Sequence, residues 1–308
     1  MSPPALDTIT GAFLIGTWAN SLLYTAELMQ AMYYFSHFKH DDWKLKTLVT
    51  VAFLIDTVSI VVDYVCVYLY VITHAGDPLY LANTPWPLPF YVIATAIVAI
   101  VVQTFLVVRY WRVTQNTIVV LFLALLIASA FGGSFACGLM IALYPAFKDR
   151  TKIKIPATIW LVTEVIVDLG IAAALLWELK KARDILGERR NVLDRLVAVT
   201  FQTGTAAAML AVAALIAYLL KPESNLPGGI TYTLGRIYVL TLLSNLNIRR
   251  SGKSYSSTGA SSSPGARGRE PGSLAFDVSG TDDPNDIHVH RTVRTTIVSI
   301  DPRKELLW

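Results

Sequence analysis

"TYTLGRIYVLTLLSNLNIRR", residues 231–250, is an apolar stretch that carries an arginine near its beginning. Before Arg249, the only charged residue in this stretch is Arg236. A guanidinium group keeps its charge at any pH that a protein meets. The stretch is long enough to cross the ~30 Å hydrocarbon core of a bilayer as a helix. Arg236 is therefore expected to face the protein interior and to have an acidic partner on another segment.

Six further apolar runs of similar length precede this stretch. The predicted spans are 11–36, 47–72, 88–109, 117–144, 156–177, 195–220 and 229–247. None of them alternates as a β-strand does, so helices satisfy the backbone. Only 16% of the residues are charged, against about 25% in soluble domains. We predict an all-α membrane protein with a seven-transmembrane-helix bundle at residues 1–250.

The distribution of lysine and arginine predicts the orientation of this bundle. The loops after spans 1, 3 and 5 and the segment after span 7 hold 14 of these residues, and the loops on the other side hold 5. Because cytoplasmic loops carry the positive excess, the N-terminus is predicted outside and the C-terminus in the cytoplasm. The basic loop at 178–195 is predicted to contact anionic lipid headgroups, with a cytoplasmic partner protein as the alternative.

The composition changes after Arg250. Residues 251–290 are rich in serine, glycine and proline, and such a segment cannot bury a hydrophobic core. We predict that residues 251–308 form a mostly disordered, Ser/Gly-rich cytoplasmic tail.

A few polar residues lie deep within the predicted spans. The acidic and basic ones are Glu27, Asp56, Asp63, Glu164, Asp168 and Arg236. A charge at the bilayer centre costs at least about 2.5 kcal/mol, so each should face the bundle interior and be paired or protonated. Helical spacing puts Asp56 and Asp63 on one face of their helix. Uncharged candidates for the same network are Asn20, Gln30, Gln103, Gln202 and Asn245.

Depth along the helices divides the acidic and basic residues into two expected layers. Asp63, Glu164 and Arg236 lie roughly 10–14 Å below the outer boundary, at about 1.5 Å per residue. Glu27, Asp56 and Asp168 lie at a similar distance from the inner boundary. Asp63 is the preferred partner of Arg236, by analogy with seven-helix bundles in which spans 2 and 7 are neighbours. An interior ion pair that fixes helix register, a ligand or ion site, and a proton path all remain open.

Searches for known chemistry find no catalytic, cofactor or metal site. The last span has no lysine for a retinal Schiff base, and the five histidines lie at span edges or in the tail, where they cannot form a three-histidine zinc site. No nucleotide-binding loop or nucleophile elbow is present. The pI near 9.0 follows from the basic loops and does not require nucleic acid. We expect that the protein is not an enzyme.

Three blocks of the sequence resemble a known family. They are "LVTEVIVDLGIAAALLWELKKAR" (161–183), "LDRLVAVTFQTGTAAAMLAVAALIAYL" (193–219) and "RIYVLTLLSNLNIR" (236–249). They are similar to the domain of unknown function 6534, a multi-pass membrane family abundant in mushroom-forming fungi. The matching motif residues are Arg236, Tyr238, Leu246, Asn247 and Arg249. The segments "FLIDTVSIV" (53–61) and "QTFLVVRYWRVTQN" (103–116) resemble the upstream spans of the family, so the resemblance covers most of 50–250. The resemblance implies a fungal, receptor-like seven-helix protein, and it carries over no catalytic or ligand-binding residue.

Three functions are compatible with these features. The first is a receptor-like sensor of an unknown ligand. The second is a small transporter or channel that moves a cation or proton along the intramembrane carboxylates, and the third is a structural membrane component. In each case the bilayer is the predicted partner, and either the plasma membrane or an endomembrane would suit the protein.

Overall fold

The computed structural model describes residues 10–81, 83–146, 150–182, 190–220 and 224–258. Within these ranges the chain forms nine α-helices, and a π-helical turn, Leu69–Thr73, extends the second. The helices are α1 (Ala12–His37), α2 (Trp43–Tyr68), α3 (Pro78–Leu81), α4 (Pro87–Thr114), α5 (Thr117–Leu143), α6 (Arg150–Ala182), α7 (Arg190–Leu220), α8 (Leu226–Thr231) and α9 (Leu234–Thr258). The predicted all-α class is confirmed for the described ranges.

Several helices have the length and composition of membrane spans. Among the described residues, four segments are long and apolar enough to cross a bilayer: Trp43–Thr73, Pro87–Arg112, Thr117–Leu143 and Thr151–Trp177. In α7 the apolar part that the structure describes is shorter, Gly204–Leu220. Large apolar side chains such as Leu22, Val61 and Ile118 lie exposed on the outer faces of their helices. Such surfaces are suited to lipid rather than water.

Helix ends follow local sequence signals. The Asp42 side chain accepts a hydrogen bond from the backbone N–H of Lys44 and caps α2, and Asn116 caps α5 in the same way through Val119. Helix α4 begins at Pro87, whose missing N–H is tolerated in a first turn. It ends at Thr114, because the next residue, Gln115, has a φ of 55° and stops the helix before α5 begins.

The long helices pack side by side in a ring. Neighbouring pairs follow the chain from α1 to α2, α4, α5, α6 and α7, and the short α8 packs against both α7 and α1. Gly16 and Gly229 permit the close contact of α1 with α8, because a Cβ on Gly16 would collide with the backbone of Gly229. Small residues of α7, among them Ala207 and Ala211, are buried, and they allow the close packing of α6 and α7.

Helix α9 lies inside this ring. No residue between Leu234 and Ile248 is exposed. Its side chains form hydrogen bonds to α1, α2, α4 and α6. A helix that is buried all round belongs to the core, so the stretch that carries Arg236 is the central element of the bundle.

Some predictions concern residues that the structure does not describe. Residues 259–308, which make up most of the predicted tail, lie outside the described ranges, although α9 continues past residue 250 to Thr258. The predicted headgroup contact at 178–195 also lies outside, because the side chains of 178–197 and the backbone of 183–189 are not described.

Candidate functional site

The acidic and basic residues predicted for the interior are all buried. Glu27, Asp56, Asp63, Glu164, Asp168 and Arg236 each expose at most 5% of their surface. They form two groups on different sides of α9. The arginine cluster consists of Asn20, Glu27, Asp56, Asp63 and Arg236. The tyrosine cluster consists of Gln103, Glu164, Asp168 and Tyr238.

In the arginine cluster one guanidinium group binds two carboxylates of α2. Arg236 donates from Nη1 to Asp56 Oδ1 in a close contact, and from Nη2 to Asp63 Oδ2 over 3.4 Å. Asn20 of α1 donates from Nδ2 to the same Asp63 oxygen over 2.8 Å. The two aspartates are nearly two helical turns apart on one face, and the forked guanidinium has donors enough for both. The cluster therefore ties α9 to α1 and α2.

Gly235 makes room for the closer of these carboxylates. A Cβ at this position would lie 2.7 Å from Asp56 Oδ1 and 3.7 Å from Thr95 Oγ1. Any larger residue next to Arg236 would have to displace the Asp56 side chain. The glycine before Arg236 thus leaves the space that the Asp56 carboxylate occupies in the ion pair.

The arginine cluster has more acceptors than donors. Glu27 lies next to Asp56 and Arg236, and neither of its carboxylate oxygens makes a hydrogen bond of ordinary geometry. Asp56 Oδ2, Asp63 Oδ1 and Arg236 Nε also have no hydrogen-bond partner in the described part of the chain. Three acids therefore surround one cation, and part of their hydrogen-bonding capacity is unused.

The tyrosine cluster joins α9 to α4 and α6. Tyr238 Oη lies 2.6 Å from Glu164 Oε1 and 2.7 Å from Asp168 Oδ2. Gln103 of α4 donates from Nε2 to Glu164 Oε1 and to Asp168 Oδ1, each over 3.2 Å. A cavity of about 10 Å³, bounded in part by Gln103, Asp168, Tyr238 and Gly204, adjoins the cluster. It has room for about one water molecule.

The pairing expected from the two depth layers is wrong. Asp56 and Asp63 were assigned to different layers, but both contact Arg236. Glu164, expected at the depth of Arg236, instead shares its partners with Asp168. The helix face decides the partner, because side chains reach across the one or two turns that separate residues on one face.

Other polar residues join the C-terminal half of α9 to α1 and α4. Ser244 Oγ donates to Gln30 Oε1 over 2.8 Å, and Asn247 Nδ2 donates to the Gln30 backbone carbonyl over 3.0 Å. Arg109 Nη1 donates to Asn245 Oδ1 over 3.2 Å. Gln202, a candidate for the interior network, is exposed and contributes nothing to it.

Sequence reasoning identified Tyr238 only as a motif residue and missed its contacts. The available signal was a hydroxyl two residues from Arg236, on the opposite side of the helix, which requires a partner when it is buried. Of the other motif residues, Asn247 binds α1, and the side chain of Arg249 lies outside the described residues. In the described ranges no group of three or more His, Cys, Asp or Glu side chains is placed to hold a metal ion.

Comparison with known protein families finds a match that covers part of the chain. Residues 164–251 match the model of a family of unknown function (DUF6534). The match confirms the resemblance of the blocks from residue 161 onward, and it does not extend to the segments at 53–61 and 103–116. The DUF6534 segment begins at Glu164 and includes Asp168, Arg236 and Tyr238, whereas the two aspartates of α2 precede it. No curated protein and no solved structure matches the chain.

Proposed function

We propose that the protein is a seven-helix membrane protein, with its N-terminus outside and its C-terminus cytoplasmic, and that it is a receptor-like sensor rather than an enzyme. Seven of the helices in the described ranges have 25 residues or more. The Thr84 backbone N–H donates to the Pro145 carbonyl over 2.7 Å. This bond puts the segments after α2 and after α5 on one side, as the proposed topology requires.

The topology has a direct test. A tag placed after Trp308 should be protected from protease added to intact cells and digested after permeabilisation. A matched tag before Met1 should be digested on intact cells. Digestion of the C-terminal tag on intact cells would reverse the proposed orientation.

The arginine cluster is the observation that supports a sensor. Its single cation is shared by Asp56 and Asp63, and the same groups retain unused acceptors. A shift of α9 along α2 would tighten one of these two contacts and loosen the other. In our proposal a ligand biases this balance by binding one of the two resulting arrangements more tightly.

A ligand screen on the purified full-length protein in lipid nanodiscs tests this proposal. A compound that raises the Tm of the parent should raise that of Asp63→Asn much less, because this variant has lost one of the two arrangements. Asp77→Asn, a change at an exposed loop carboxylate, is the matched control and should respond like the parent. Equal responses of the parent and Asp63→Asn to every active compound would refute the proposed role of the cluster.

The surplus of acids favours transport as a second candidate. Three buried carboxylates beside one guanidinium resemble the acidic chains along which transporters move protons or cations. Proteoliposomes loaded with a pH-sensitive dye distinguish the two functions. A proton flux that Asp63→Asn abolishes would support transport and displace the sensor. Absence of both flux and ligand response would leave a structural role.

A further inference from the structure

The hydroxyl group of Tyr238 has one hydrogen atom but two close carboxyl partners. Its oxygen lies 2.6 Å from Glu164 Oε1 and 2.7 Å from Asp168 Oδ2. Both separations are typical of a full O–H···O hydrogen bond. Tyr238 can donate its hydrogen to only one of the two oxygens. The hydrogen atom in the other contact has to come from a carboxyl group.

The neighbouring side chains do not supply this hydrogen. Gln103 has two N–H hydrogens on Nε2, and its two bonds go one to Glu164 and one to Asp168. Neither bond reaches the gap between Asp168 Oδ2 and the tyrosine oxygen. The hydrogen-bond count of the cluster is therefore one hydrogen short when both carboxyl groups are ionised.

The charges around the pair lead to the same conclusion. From α4 the pair faces the neutral Gln103, and from α7 Asp168 faces Gly204 and Ala207 across the small cavity. Helix α5, which also packs against α6, has no charged residue. From α9 it faces Tyr238, while the nearest cation of that helix, Arg236, is bound to the aspartates of α2. Two ionised carboxylates four residues apart on one helix face would repel each other, with no cation among their described contacts.

We propose that Glu164, Asp168 and Tyr238 form a proton-binding site that holds one proton at neutral pH. In this arrangement one carboxyl group donates its O–H to Tyr238 Oη, and Tyr238 donates to the other, ionised carboxylate. Protonation adds one proton to a carboxylate oxygen and changes no other covalent bond. The cavity next to Asp168 and Tyr238 has room for a single water through which the proton enters and leaves. The site does not depend on the proposed sensor role.

Infrared difference spectroscopy of the full-length protein in nanodiscs tests the site. The parent at neutral pH should show the C=O stretching band of a protonated carboxyl group, shifted in heavy water. Subtraction of the Glu164→Gln or Asp168→Asn spectrum should isolate this band. Glu27→Gln is the matched control, because it removes an equally buried carboxyl group from the arginine cluster. The band of the tyrosine cluster should persist in that variant.

The pH dependence of the parent's Tm is a second measurement, which does not require that the variants assemble. The Tm of the parent should fall as pH rises and the proton leaves, because two carboxylates then face one hydroxyl. Tyr238→Phe removes the bridging hydroxyl, and it should shift the frequency of the band. The proposal is overturned if the protonated-carboxyl band is the same in the parent, Glu164→Gln and Asp168→Asn. It is also overturned if Tyr238→Phe leaves the band at its parental frequency.

Discussion

The arginine cluster and the tyrosine cluster bury acids in different ways beside one helix. In the first, a guanidinium balances the aspartates of α2. In the second, a phenol and an amide bind the carboxyl groups of α6, with no cation among the described contacts. Arg236 and Tyr238 are two residues apart in sequence and so point to opposite sides of α9.

Acidic residues are therefore buried in two ways in this protein, and the amino-acid composition alone does not distinguish them. An ion pair keeps the acids charged and makes them depend on one partner. A hydrogen-bonded pair accommodates the acids by sharing hydrogen atoms, which makes it sensitive to proton concentration. The same central helix is therefore held by charge on one side and by hydrogen bonds on the other.

The largest expected effect comes from removal of the cation. Arg236→Leu should lower the free energy of unfolding by about 3–5 kcal/mol, because it leaves buried carboxylates without their counter-charge. SDS-induced unfolding of the purified protein measures this loss. Arg112→Leu is the control: Arg112 is an exposed arginine near the end of α4, so its loss should cost about 0.5 kcal/mol or less. Equal losses in the two variants would mean that Arg236 is not a buried ion-pair partner.

Mutation of the tyrosine cluster should lower the free energy of unfolding by less. Tyr238→Phe removes one hydroxyl from between two carboxyl groups and should cost about 1.5–3 kcal/mol, the range for hydrogen bonds to charged groups. Tyr24→Phe serves as the control, because the Tyr24 hydroxyl contacts Thr57 in a half-buried position over 3.1 Å. A loss for Tyr238→Phe as large as that for Arg236→Leu would abolish the distinction between the clusters.

Filling the space beside the ion pair should have a smaller effect on stability. Gly235→Ala would push Asp56 away from Arg236 and should cost about 1 kcal/mol, the lower end for overpacking, because a carboxylate can shift. Gly132→Ala is the control, since nothing lies within 4 Å of a Cβ at that position. The control should be neutral or slightly stabilising, as alanine favours helix over glycine. Stabilisation by Gly235→Ala would contradict the packing of Asp56 against this glycine.

The smallest effect separates the two aspartates. In double-mutant cycles with Arg236→Leu, Asp56→Asn should show the larger coupling energy, because its contact is the closer one. A difference of about 0.5 kcal/mol is the least that such cycles resolve. Glu164→Gln should show no coupling to Arg236. If Glu164 is coupled to Arg236 as strongly as Asp56 is, the two clusters form one network.

The sequence predicted the helices and the burial of the acids but not how they pair. Apolar runs of bilayer length allow only helices, and a charged residue within them has to face inward, so these features follow from local physics. The partner of Arg236 depends on which helices are neighbours and which face each presents. Local patterns do not encode the position of α9 inside the ring, and analogy directed the choice toward Asp63 and away from Asp56. The seven-span count and the orientation stay predictions.

The position of α9 also has a consequence for biosynthesis. A ribosome makes the chain from its N-terminus, so the acids at 27, 56, 63, 164 and 168 all emerge before Arg236 and Tyr238. Until α9 arrives, these acids lack the guanidinium of Arg236 and the hydroxyl of Tyr238. The helices that precede α9 therefore bury their acids fully only when the last helix joins them.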